Sequence, residues 1–403
     1  MADYSKKRRD AVAAGRIEPF FAPCPRGLEP LLTVELAELG AQDLEPAPGG
    51  VGFAGPFTLC YSANLQSRLA SRILWRVGQG AYRDERDLYE ATRLLPWPDW
   101  FTPDQTIKVK VSARRCPLQS LDFVTLRIKD AICDCFRKAA GARPSVDTAK
   151  PDIRIDAFLE ERTATWYLDT SGEALFKRGF RLAGGEAPLR ENLAAGLLKL
   201  AGWTGDQPLL DPMCGSGTIL LEAGLMARRI APGLGRRFAF ERLRNFDRRA
   251  WETLCQASRS RQAAGLPLRL YGCDRDQAAL DAARANLEAA GLVDSVSLRL
   301  ADVLELTPPA ESGLIVTNPP YGVRVGEREA LAAFYPKLGD RLKQQFPGWR
   351  AYLLSADPRL PKLIGLAPSR RTPLFNGALE CRLFEFKLVR GSGRGTLRGA
   401  PSR

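Results

Sequence analysis

The segment from Pro208 to Ala223 constrains the fold more than any other part of the 403-residue chain. An apolar strand ends at Asp211, a loop carries Gly215 and Gly217, and an apolar helix follows at once. Glycines let the backbone approach a ligand closely, and the start of a helix offers N–H groups without partners. A tight turn that holds no ligand would use the same residues, so the segment predicts the strand, loop and helix but leaves the ligand open.

Two well-known nucleotide-binding loops do not fit these residues. A P-loop needs a Gly-Lys-Ser/Thr sequence, and none follows the first glycine here. The dinucleotide loop Gly-x-Gly-x-x-Gly is incomplete at its third glycine. The loop is therefore assigned to neither class.

Two later strands also end in acidic residues. The strands 268–274 and 296–302 finish on Asp274 and Asp302, with a helix predicted between them from about Asp276 to Ala290. The first of these carboxylates can accept both hydroxyls of a ribose, and the second can accept from an adenine amino group. Each acid alone is more commonly a helix cap or a solvated turn residue. Three acids at successive strand ends favour a ligand site, and the alternation of strands and helices to about Val389 predicts a mainly parallel α/β sheet.

A further apolar strand, Gly313–Thr317, leads into Asn318, Pro319, Pro320 and Tyr321. One interpretation is a rigid turn that ends a buried strand, because prolines stiffen the chain. The other is chemical, since Asn318 Oδ1 and the Pro319 carbonyl can accept the two hydrogens of an exocyclic base amine while Tyr321 stacks on the base. Such acceptors favour a pyramidal nitrogen whose lone pair can attack an electrophilic carbon.

The chain contains no histidine, which excludes Ser-His-Asp hydrolysis, Cys-His proteases and histidine zinc sites. Its nine cysteines are irregularly spaced without a Cys-x-x-Cys pair, so neither a disulfide framework nor a metal site is expected. Cys214, inside the glycine loop, is expected to pack there and not to act as a nucleophile. The cysteine usage, with no secretory or membrane-spanning pattern, predicts a cytoplasmic protein that does not contact membranes.

Lysine and arginine exceed the acids by 59 to 46, a formal charge of +13 that favours a polyanionic partner. Part of the excess follows the first helix of the α/β region, where 63 residues separate Asp211 from Asp274, too many for one strand–helix–strand step. The extra segment, residues 228–261, holds ten arginines. It is either a solvated helical elaboration or an RNA-backbone contact, with Phe238, Phe246 and Trp251 as packing or stacking groups.

The N-terminal half has the pattern of a smaller α+β region. Strand, helix and strand patterns follow one another at 19–22, 27–40 and 50–53. Residues 106–112 alternate apolar and basic, which predicts a half-buried strand with Lys108 and Lys110 on its wet face. The later elements predicted are a helix at 123–139, paired strands at 152–156 and 163–169, and a basic connector at 176–181.

Two motifs together resemble those of a known class of enzymes. Asp-Pro-Met-Cys-Gly-Ser-Gly-Thr at 211–218, with Thr-Asn-Pro-Pro-Tyr-Gly at 317–322, is similar to the amino-methyltransferases that use S-adenosylmethionine. Over roughly residues 18–390 the chain resembles the THUMP-domain RNA methyltransferases, and within them the large-subunit ribosomal RNA guanine-N2 methyltransferases of the RlmL type. The further segments that carry this resemblance are Arg26–Glu29, Ser67–Arg72, Lys129–Ile132, Pro151–Arg154, Lys177–Arg181, Ala187–Ala194 and Ile230–Leu234.

The resemblance implies a fold and a domain order. A Rossmann-like class I methyltransferase domain with a mainly parallel sheet is expected at 171–390, preceded by a ferredoxin-like α+β segment at 17–65 and a THUMP RNA-binding domain at 66–170. Residues 1–16 are expected to form a flexible basic tail and residues 391–403 a disordered tail. Some members carry a second, C-terminal methyltransferase, which is expected to be absent here. Phe176 and Phe180 stand where relatives often have His and Tyr.

The resemblance also implies roles for individual residues. S-adenosylmethionine would be bound by Asp211, Pro212, Met213, Cys214, Gly215, Ser216, Gly217, Thr218, Asp274, Arg275, Asp302, Val303 and Asn318. The catalytic residues would be Asn318, Pro319, Pro320 and Tyr321, with no metal. RNA would be contacted by Lys108, Lys110, Lys129, Arg154, Lys177, Arg178, Arg181, Arg236 and Arg237.

The function implied is methyl transfer to N2 of a guanine in 23S ribosomal RNA, either naked or in a 50S assembly intermediate. The Asn-Pro-Pro-Tyr motif serves guanine-N2 and adenine-N6 enzymes alike, and the THUMP-like half favours RNA as the substrate. A tRNA guanine-N2 methyltransferase and a non-catalytic RNA-binding assembly factor are the alternatives. The sequence leaves the oligomeric state, monomer or dimer, open.

Overall fold

The computed structural model describes residues 16–182, 189–263, 267–320 and 325–389, the last range without the side chains of 325–330. The predicted tails at 1–16 and 391–403 lie outside these ranges, apart from Arg16. The described chain forms two compact units, the first made of residues through 179 together with 229–263, and the second of 180–228 and the residues after 263. No helix in the described ranges is long and apolar enough to cross a bilayer.

The helices alternate with strands along most of the described chain. In chain order they are α1 (Glu29–Glu38), α2 (Leu59–Gln66), α3 (Glu85–Leu94), α4 (Trp97–Trp100), α5 (Leu121–Ala140), α6 (Glu191–Leu200), α7 (Thr218–Ala227), α8 (Arg248–Ser260), α9 (Gln277–Ala289), α10 (Val325–Gln345) and α11 (Leu360–Ile364). Helices α1 to α5 and α8 belong to the first unit and the others to the second.

One seven-stranded sheet organises the first unit. Its strands are β1 (Ile17–Pro23), β2 (Gln42–Ala47), β3 (Gly50–Pro56), β4 (Leu74–Ala81), β5 (Ile107–Ala113), β6 (Ile153–Leu159) and β7 (Thr163–Asp169). They lie in the order β2-β3-β1-β4-β7-β6-β5, and every pair is antiparallel except β5 with β6. The sheet is continuous from the predicted ferredoxin-like region into the predicted THUMP region.

Local sequence explains these elements. In β6, Ile153, Ile155, Ala157 and Leu159 are buried while residues 154, 156 and 158 are partly exposed, the alternation expected of a strand with one face on the core. The Ser120 side chain caps α5 by accepting from a backbone N–H, and Gly141 ends that helix in the left-handed region. The helix predicted at 123–139 and the paired strands predicted after it are confirmed.

The arginine-rich segment after α7 packs into the first unit. Phe240 lies 4.6 Å from Tyr61 and 5.1 Å from Trp251 between ring centroids, and Phe238 stacks on Phe240 at 5.3 Å. Phe238 and Phe240 are buried. Of the two interpretations given for Phe238, Phe246 and Trp251, the structure supports packing for the buried Phe238.

The second unit contains a second seven-stranded sheet. Its strands are β8 (Leu209–Asp211), β9 (Leu270–Asp274), β10 (Val296–Leu300), β11 (Leu314–Thr317), β12 (Arg350–Ser355), β13 (Arg370–Asn376) and β14 (Leu379–Lys387). They lie in the order β10-β9-β8-β11-β12-β14-β13; the first five are parallel, and β14 pairs antiparallel with both of its neighbours. The predicted mainly parallel α/β sheet is confirmed.

The strand order reverses between β8 and β11. From β8 the chain steps outward to β9 and β10, then returns to β11 on the other side of β8. In open α/β sheets a ligand binds outside the carboxyl ends of the strands at such a reversal. A core that includes Leu210, Ile315, Leu353 and Phe384 fixes these strands, and Tyr335 of α10 packs on the same core.

Candidate active site

The predicted site residues of the second unit lie at the carboxyl ends of four neighbouring parallel strands. Asp211 ends β8, Asp274 ends β9 and Asp302 follows β10. The register pairs Asp211 with Gly272, and Leu300 with Asp274. Because the strands are parallel, their carboxyl ends share one edge of the sheet, so the three acids follow one another along that edge, beginning with Asp211 at the point where the strand order reverses.

Asp211 is the buried acid of this site, with only 2% of its surface exposed. Burial raises the pKa of Asp211 to about 7, since the low-dielectric surroundings disfavour its charged form. The nearby Thr317 hydroxyl and the Met213 N–H, which lies 3.3 Å from Asp211 Oδ1, both lower the pKa, and the charge of Asp274 raises it. A positively charged group next to Asp211 would lower this pKa again, because it would favour the ionised carboxylate.

The glycine loop between β8 and α7 has a backbone conformation that favours glycine at two positions. Gly215 and Gly217 have φ of +54° and +78°, in the left-handed region that side-chain-bearing residues rarely adopt. A Cβ on Gly217 would lie 3.0 Å from the Cβ of Ala283 on α9, whereas one on Gly215 would meet nothing within 4 Å. The Asn286 side chain donates to the Ser216 carbonyl (3.1 Å) and fixes the loop from behind. The loop therefore leaves room for a ligand next to the start of α7, where Thr218 is buried.

Backbone hydrogen bonds orient the other two acids. Asp274 accepts from the Gly215 N–H on one oxygen (2.8 Å) and from the Asp276 N–H on the other (3.0 Å). Asp302 Oδ1 accepts from the Leu304 N–H at 2.8 Å. Both carboxylates are half-buried.

Other predicted members of the cofactor set surround these acids. Pro212 and Val303 are buried, and Met213 is half-buried against the core of the unit. Arg275, directly after Asp274, is exposed. The apolar members therefore shape the edge of the site while the carboxylates supply its polar contacts.

Cys214 is packed within the loop. Its N–H donates to the Cys273 carbonyl at 2.9 Å, and the side chain is 7% exposed. Burial and the neighbouring acids Asp211 and Asp274 raise the pKa of the Cys214 thiol far above its usual range. A thiol that stays protonated is a poor nucleophile, which agrees with the expected packing role.

The predicted catalytic residues follow β11 next to the Asp211 strand. Asn318 is half-buried, Pro319 is buried and Pro320 is exposed. The Tyr335 hydroxyl donates to the Pro320 carbonyl at 3.1 Å and ties this turn to α10. Tyr321 lies outside the described residues.

Thr317, Asn286 and Tyr335 are the residues of this site that sequence reasoning missed. They act on Asp211, on the glycine loop and on the Pro320 turn respectively. Thr317 could have been noticed, because it immediately precedes Asn318 at the end of an apolar strand. The sequence carries no signal for the other two, since their contacts depend on how helices pack.

The predicted RNA-contacting residues do not all lie at the surface. Arg178 is 3% exposed and donates to the Leu175 and Arg68 carbonyls at 2.6 Å each. Arg236 donates to four backbone carbonyls of residues 173–177, at 2.7 to 3.3 Å. Both guanidinium groups therefore hold the backbone of the first unit, and the RNA contacts predicted for these two residues stay predictions.

Two further arginines that were predicted to bind RNA also make hydrogen bonds within their own units. Arg181 donates to the Thr218 hydroxyl at 2.8 Å and forms an ion pair with Glu191 at 3.3 Å. Arg154 makes two hydrogen bonds to the Asp156 carboxylate, at 2.8 and 2.9 Å. Sequence alone could not separate such arginines from surface ones, because both kinds have the same charge pattern.

The remaining predicted cations are more accessible. Lys110, Lys177 and Arg237 are exposed, although Lys177 pairs with Glu173 at 2.9 Å. Lys129 pairs with Asp130 at 2.6 Å, and Lys108 donates to the Thr148 carbonyl at 2.6 Å. The RNA contacts predicted for these residues stay predictions.

The sheet order, the glycine loop and the acids at the strand ends define the second unit as a class I methyltransferase, the class that uses S-adenosylmethionine. The residues present fit that cofactor, since the buried Asp211 and the half-buried Asp274 and Asp302 offer carboxylates for its amino, ribose and adenine groups beside the glycine loop. Three family models match successive segments of the chain. They are "RlmL ferredoxin-like domain" at 19–74, "THUMP domain" at 82–169 and "RMKL-like, methyltransferase domain" at 178–385.

The chain belongs to the THUMP-domain, RMKL-like methyltransferase family. It is 40% identical to the protein named "Putative RNA methyltransferase slr0064" of Synechocystis over 92% of this chain and 97% of the relative. It is also 40% identical to the ribosomal RNA large subunit methyltransferase K/L of Aeromonas hydrophila over 93% of this chain and 55% of the relative. The chain spans about half the length of the K/L relatives it matches. The solved structure of SMU.472 complexed with SAH superposes with a TM-score of 0.85 at 28% identity, over 93% of this chain and 99% of that one.

Proposed function

We propose that this chain transfers a methyl group from S-adenosylmethionine to the exocyclic N2 of a guanine in 23S ribosomal RNA. The observation that carries the proposal is the position of Asn318, Pro319 and Pro320 at the carboxyl end of β11, beside the strand that ends in Asp211. This places candidate acceptors for an amine on the same sheet edge as the candidate cofactor site.

The cofactor would be held by the three acids and the loop. Asp211, with the 213–218 loop, would bind the methionine portion, Asp274 the ribose, and Asp302 with Val303 the adenine. S-adenosylmethionine supplies an electrophilic methyl group on a sulfonium. The buried site around Asp211 strengthens electrostatic contacts, because little water screens them there.

The base would be held by the residues after β11. Asn318 Oδ1 and the Pro319 carbonyl would accept the two hydrogens of the amine, and Tyr321 would stack on the base, which must leave its helix to enter. Held in this way, the nitrogen lone pair would face the methyl carbon, which the cofactor would release from its sulfur as the new bond forms. The nitrogen then loses a proton to solvent. Catalysis would come mainly from alignment and from acceptor placement, which needs no histidine.

Three observations support RNA as the substrate. The chain matches the THUMP domain model, its formal charge is +13, and the names of its relatives include RNA methyltransferases. Binding to RNA is expected to weaken steeply with salt, because cations that neutralise phosphates release counterions. A tRNA guanine-N2 methyltransferase is the alternative reaction.

The decisive experiment offers the purified chain a labelled methyl donor with naked 23S RNA, 50S subunits or bulk tRNA. We expect label in 23S RNA, either naked or within the particle, and N2-methylguanosine after digestion to nucleosides. Label confined to tRNA would refute the ribosomal substrate, and N6-methyladenosine would refute the guanine assignment. No incorporation into any substrate, together with no binding of S-adenosylmethionine by calorimetry, would favour a non-catalytic assembly factor.

A matched pair of variants tests the role of Asn318. Asn318→Ala should lower the methyl-transfer rate about a hundredfold or more, because a preorganised acceptor is lost. Asn376→Ala, on the edge strand β13, should stay near the wild-type rate. Equal rates for both variants would contradict the mechanism.

A further inference from the structure

The turn after β11, formed by Asn318, Pro319 and Pro320, is stiff at every backbone torsion except its last. A proline locks its own φ and restricts the residue before it to extended conformations. Asn318 and Pro319 each precede a proline, so sterics restrict both of them. The ψ of Pro320 is the torsion that these effects do not restrict, and it sets the direction of the Pro320 carbonyl.

A side chain of α10 holds the carbonyl that this torsion directs. The Tyr335 hydroxyl donates to the Pro320 carbonyl at 3.1 Å. Burial, together with the charge of Asp357, raises the pKa of Tyr335 to about 12. The hydroxyl therefore keeps its proton at neutral pH and acts as a hydrogen-bond donor.

The Tyr335 ring is anchored on the core of the second unit. It is 3% exposed and belongs to the cluster of buried residues that includes Leu210 of β8 and Ile315 of β11. These two strands lead to Asp211 and Asn318. The hydrogen bond from Tyr335 therefore fixes the end of the turn relative to the strands that carry the candidate site.

A close approach between helices fixes α10 near Tyr335. Gly339 lies four residues after Tyr335 and so on the same face of the helix. A Cβ at Gly339 would overlap the Ile364 carbonyl of α11, so the two helices approach as closely as only glycine allows. Packing thus determines where the Tyr335 ring lies, and the turn takes its position from the ring.

We infer that Tyr335 is a positioning residue for methyl transfer, which holds the turn so that Asn318 Oδ1 and the Pro319 carbonyl face the target amine. The start of the turn is fixed by β11, its middle by the two prolines, and its end by the Tyr335 hydroxyl. The inference rests on the proposed function, because it requires this turn to accept the amine. Acceptors that are fixed before the reaction lower its barrier, so the hydroxyl should affect the chemical step more than binding.

The test compares two variants that each remove one hydroxyl from a buried ring. Tyr335→Phe should lower the kcat of methyl transfer about tenfold, for whichever of 23S RNA, 50S subunits or tRNA accepts the label. The Kd for S-adenosylhomocysteine and the KM for that RNA should stay within about twofold of wild type. Tyr352→Phe is the matched control, since Tyr352 of β12 is 4% exposed and its hydroxyl donates to Glu385 at 3.2 Å. This control should keep the wild-type kcat.

A third substitution separates hydrogen bonding from packing. Placing 4-aminophenylalanine at position 335 restores a donor on the same ring and should recover most of the kcat that Tyr335→Phe loses. Urea unfolding of all three variants measures whether the loss of kcat exceeds any loss of stability.

Three outcomes would overturn the role of Tyr335. If Tyr335→Phe and Tyr352→Phe have equal kcat while Asn318→Ala is impaired, Tyr335 does not position the turn, and the proposed function stands. The same conclusion follows if cofactor affinity falls as much as kcat, or if the added amine restores no activity. If the wild-type chain methylates none of the three RNA substrates, the proposed function falls and this inference falls with it.

Discussion

Replacing Asp211 with Asn should stabilise the protein at high pH and weaken cofactor binding at the same time. The two effects have one cause, the burial that raises the pKa of this carboxyl to about 7 from an ordinary 3.8. In the unfolded chain Asp211 ionises near its ordinary pKa of 3.8. Between pH 3.8 and pH 7 the folded state therefore keeps a proton on Asp211 that the unfolded state has lost. Stability therefore falls as pH rises through this window, and the full penalty is present above pH 7.

The size of the effect follows from the two pKa values. A difference of about three pH units, at about 1.4 kcal/mol for each unit, corresponds to at most about 4 kcal/mol of lost stability above pH 7. Asp211→Asn cannot ionise, so its unfolding free energy should exceed that of wild type by a margin that grows by up to about 3 kcal/mol between pH 5 and pH 8. Asp340→Asn, an exposed acid on α10, should show no such growth.

Cofactor affinity should rise with pH, whereas stability falls. Wild-type affinity for S-adenosylhomocysteine should fall about tenfold between pH 8 and pH 6, because the Asp211 carboxylate, proposed to hold the amino group, becomes protonated. Asp211→Asn should bind about ten to a hundred times more weakly at pH 8, and its affinity should be nearly independent of pH.

Urea unfolding at several pH values and calorimetric titration with S-adenosylhomocysteine measure the two quantities. A wild-type slope of stability against pH in Asp211→Asn would contradict the assignment of that slope to this carboxyl. A tenfold loss of the variant's affinity toward pH 6 would contradict its assignment as the group that controls binding.

Three further predictions concern single side chains. Gly217→Ala should cost more unfolding free energy than Gly141→Ala, about 2 against about 1 kcal/mol, because both positions have positive φ but only the first meets a neighbouring Cβ; urea denaturation measures the difference. Arg236→Lys should lower the unfolding free energy by about 1 to 3 kcal/mol, because an ammonium group cannot donate to all four carbonyls that the guanidinium reaches. Thermal denaturation measures the loss, and Arg237→Ala, at an exposed neighbour, should change the unfolding free energy little. Cys214→Ala should keep the methyl-transfer rate within about threefold, and a loss of a hundredfold would show that the thiol takes part in the chemistry.

The fold of the second unit was predictable because its signals are local. Strands β8, β9 and β11 are mainly apolar and end on a polar residue, so the sequence alone predicts Asp211, Asp274 and Asn318 at one edge of a sheet. The family resemblance added the order of the regions and the cofactor. The individual roles within the site stay predictions, which the variants above test.

The contacts of the arginines were not predictable, because charge says nothing about burial. Arg178 and Arg236 belong to a basic pattern that favours RNA, yet their guanidinium groups hold backbone carbonyls. The position of the segment after α7 was likewise missed. Its aromatic residues could be seen in the sequence, but their partner Tyr61 lies more than 170 residues earlier.

The segment after α7 completes the first unit but is synthesised after part of the second. Synthesis releases residues 16–179 first, but the first unit still lacks Phe240 and Trp251, which pack on Tyr61. Those residues leave the ribosome only after β8, the glycine loop and α7 of the second unit. Domains usually mature in the order of translation. Here the N-terminal unit must stay incomplete until residue 263 has emerged, and a fragment cut at 179 would expose the part of its aromatic core that the later segment covers.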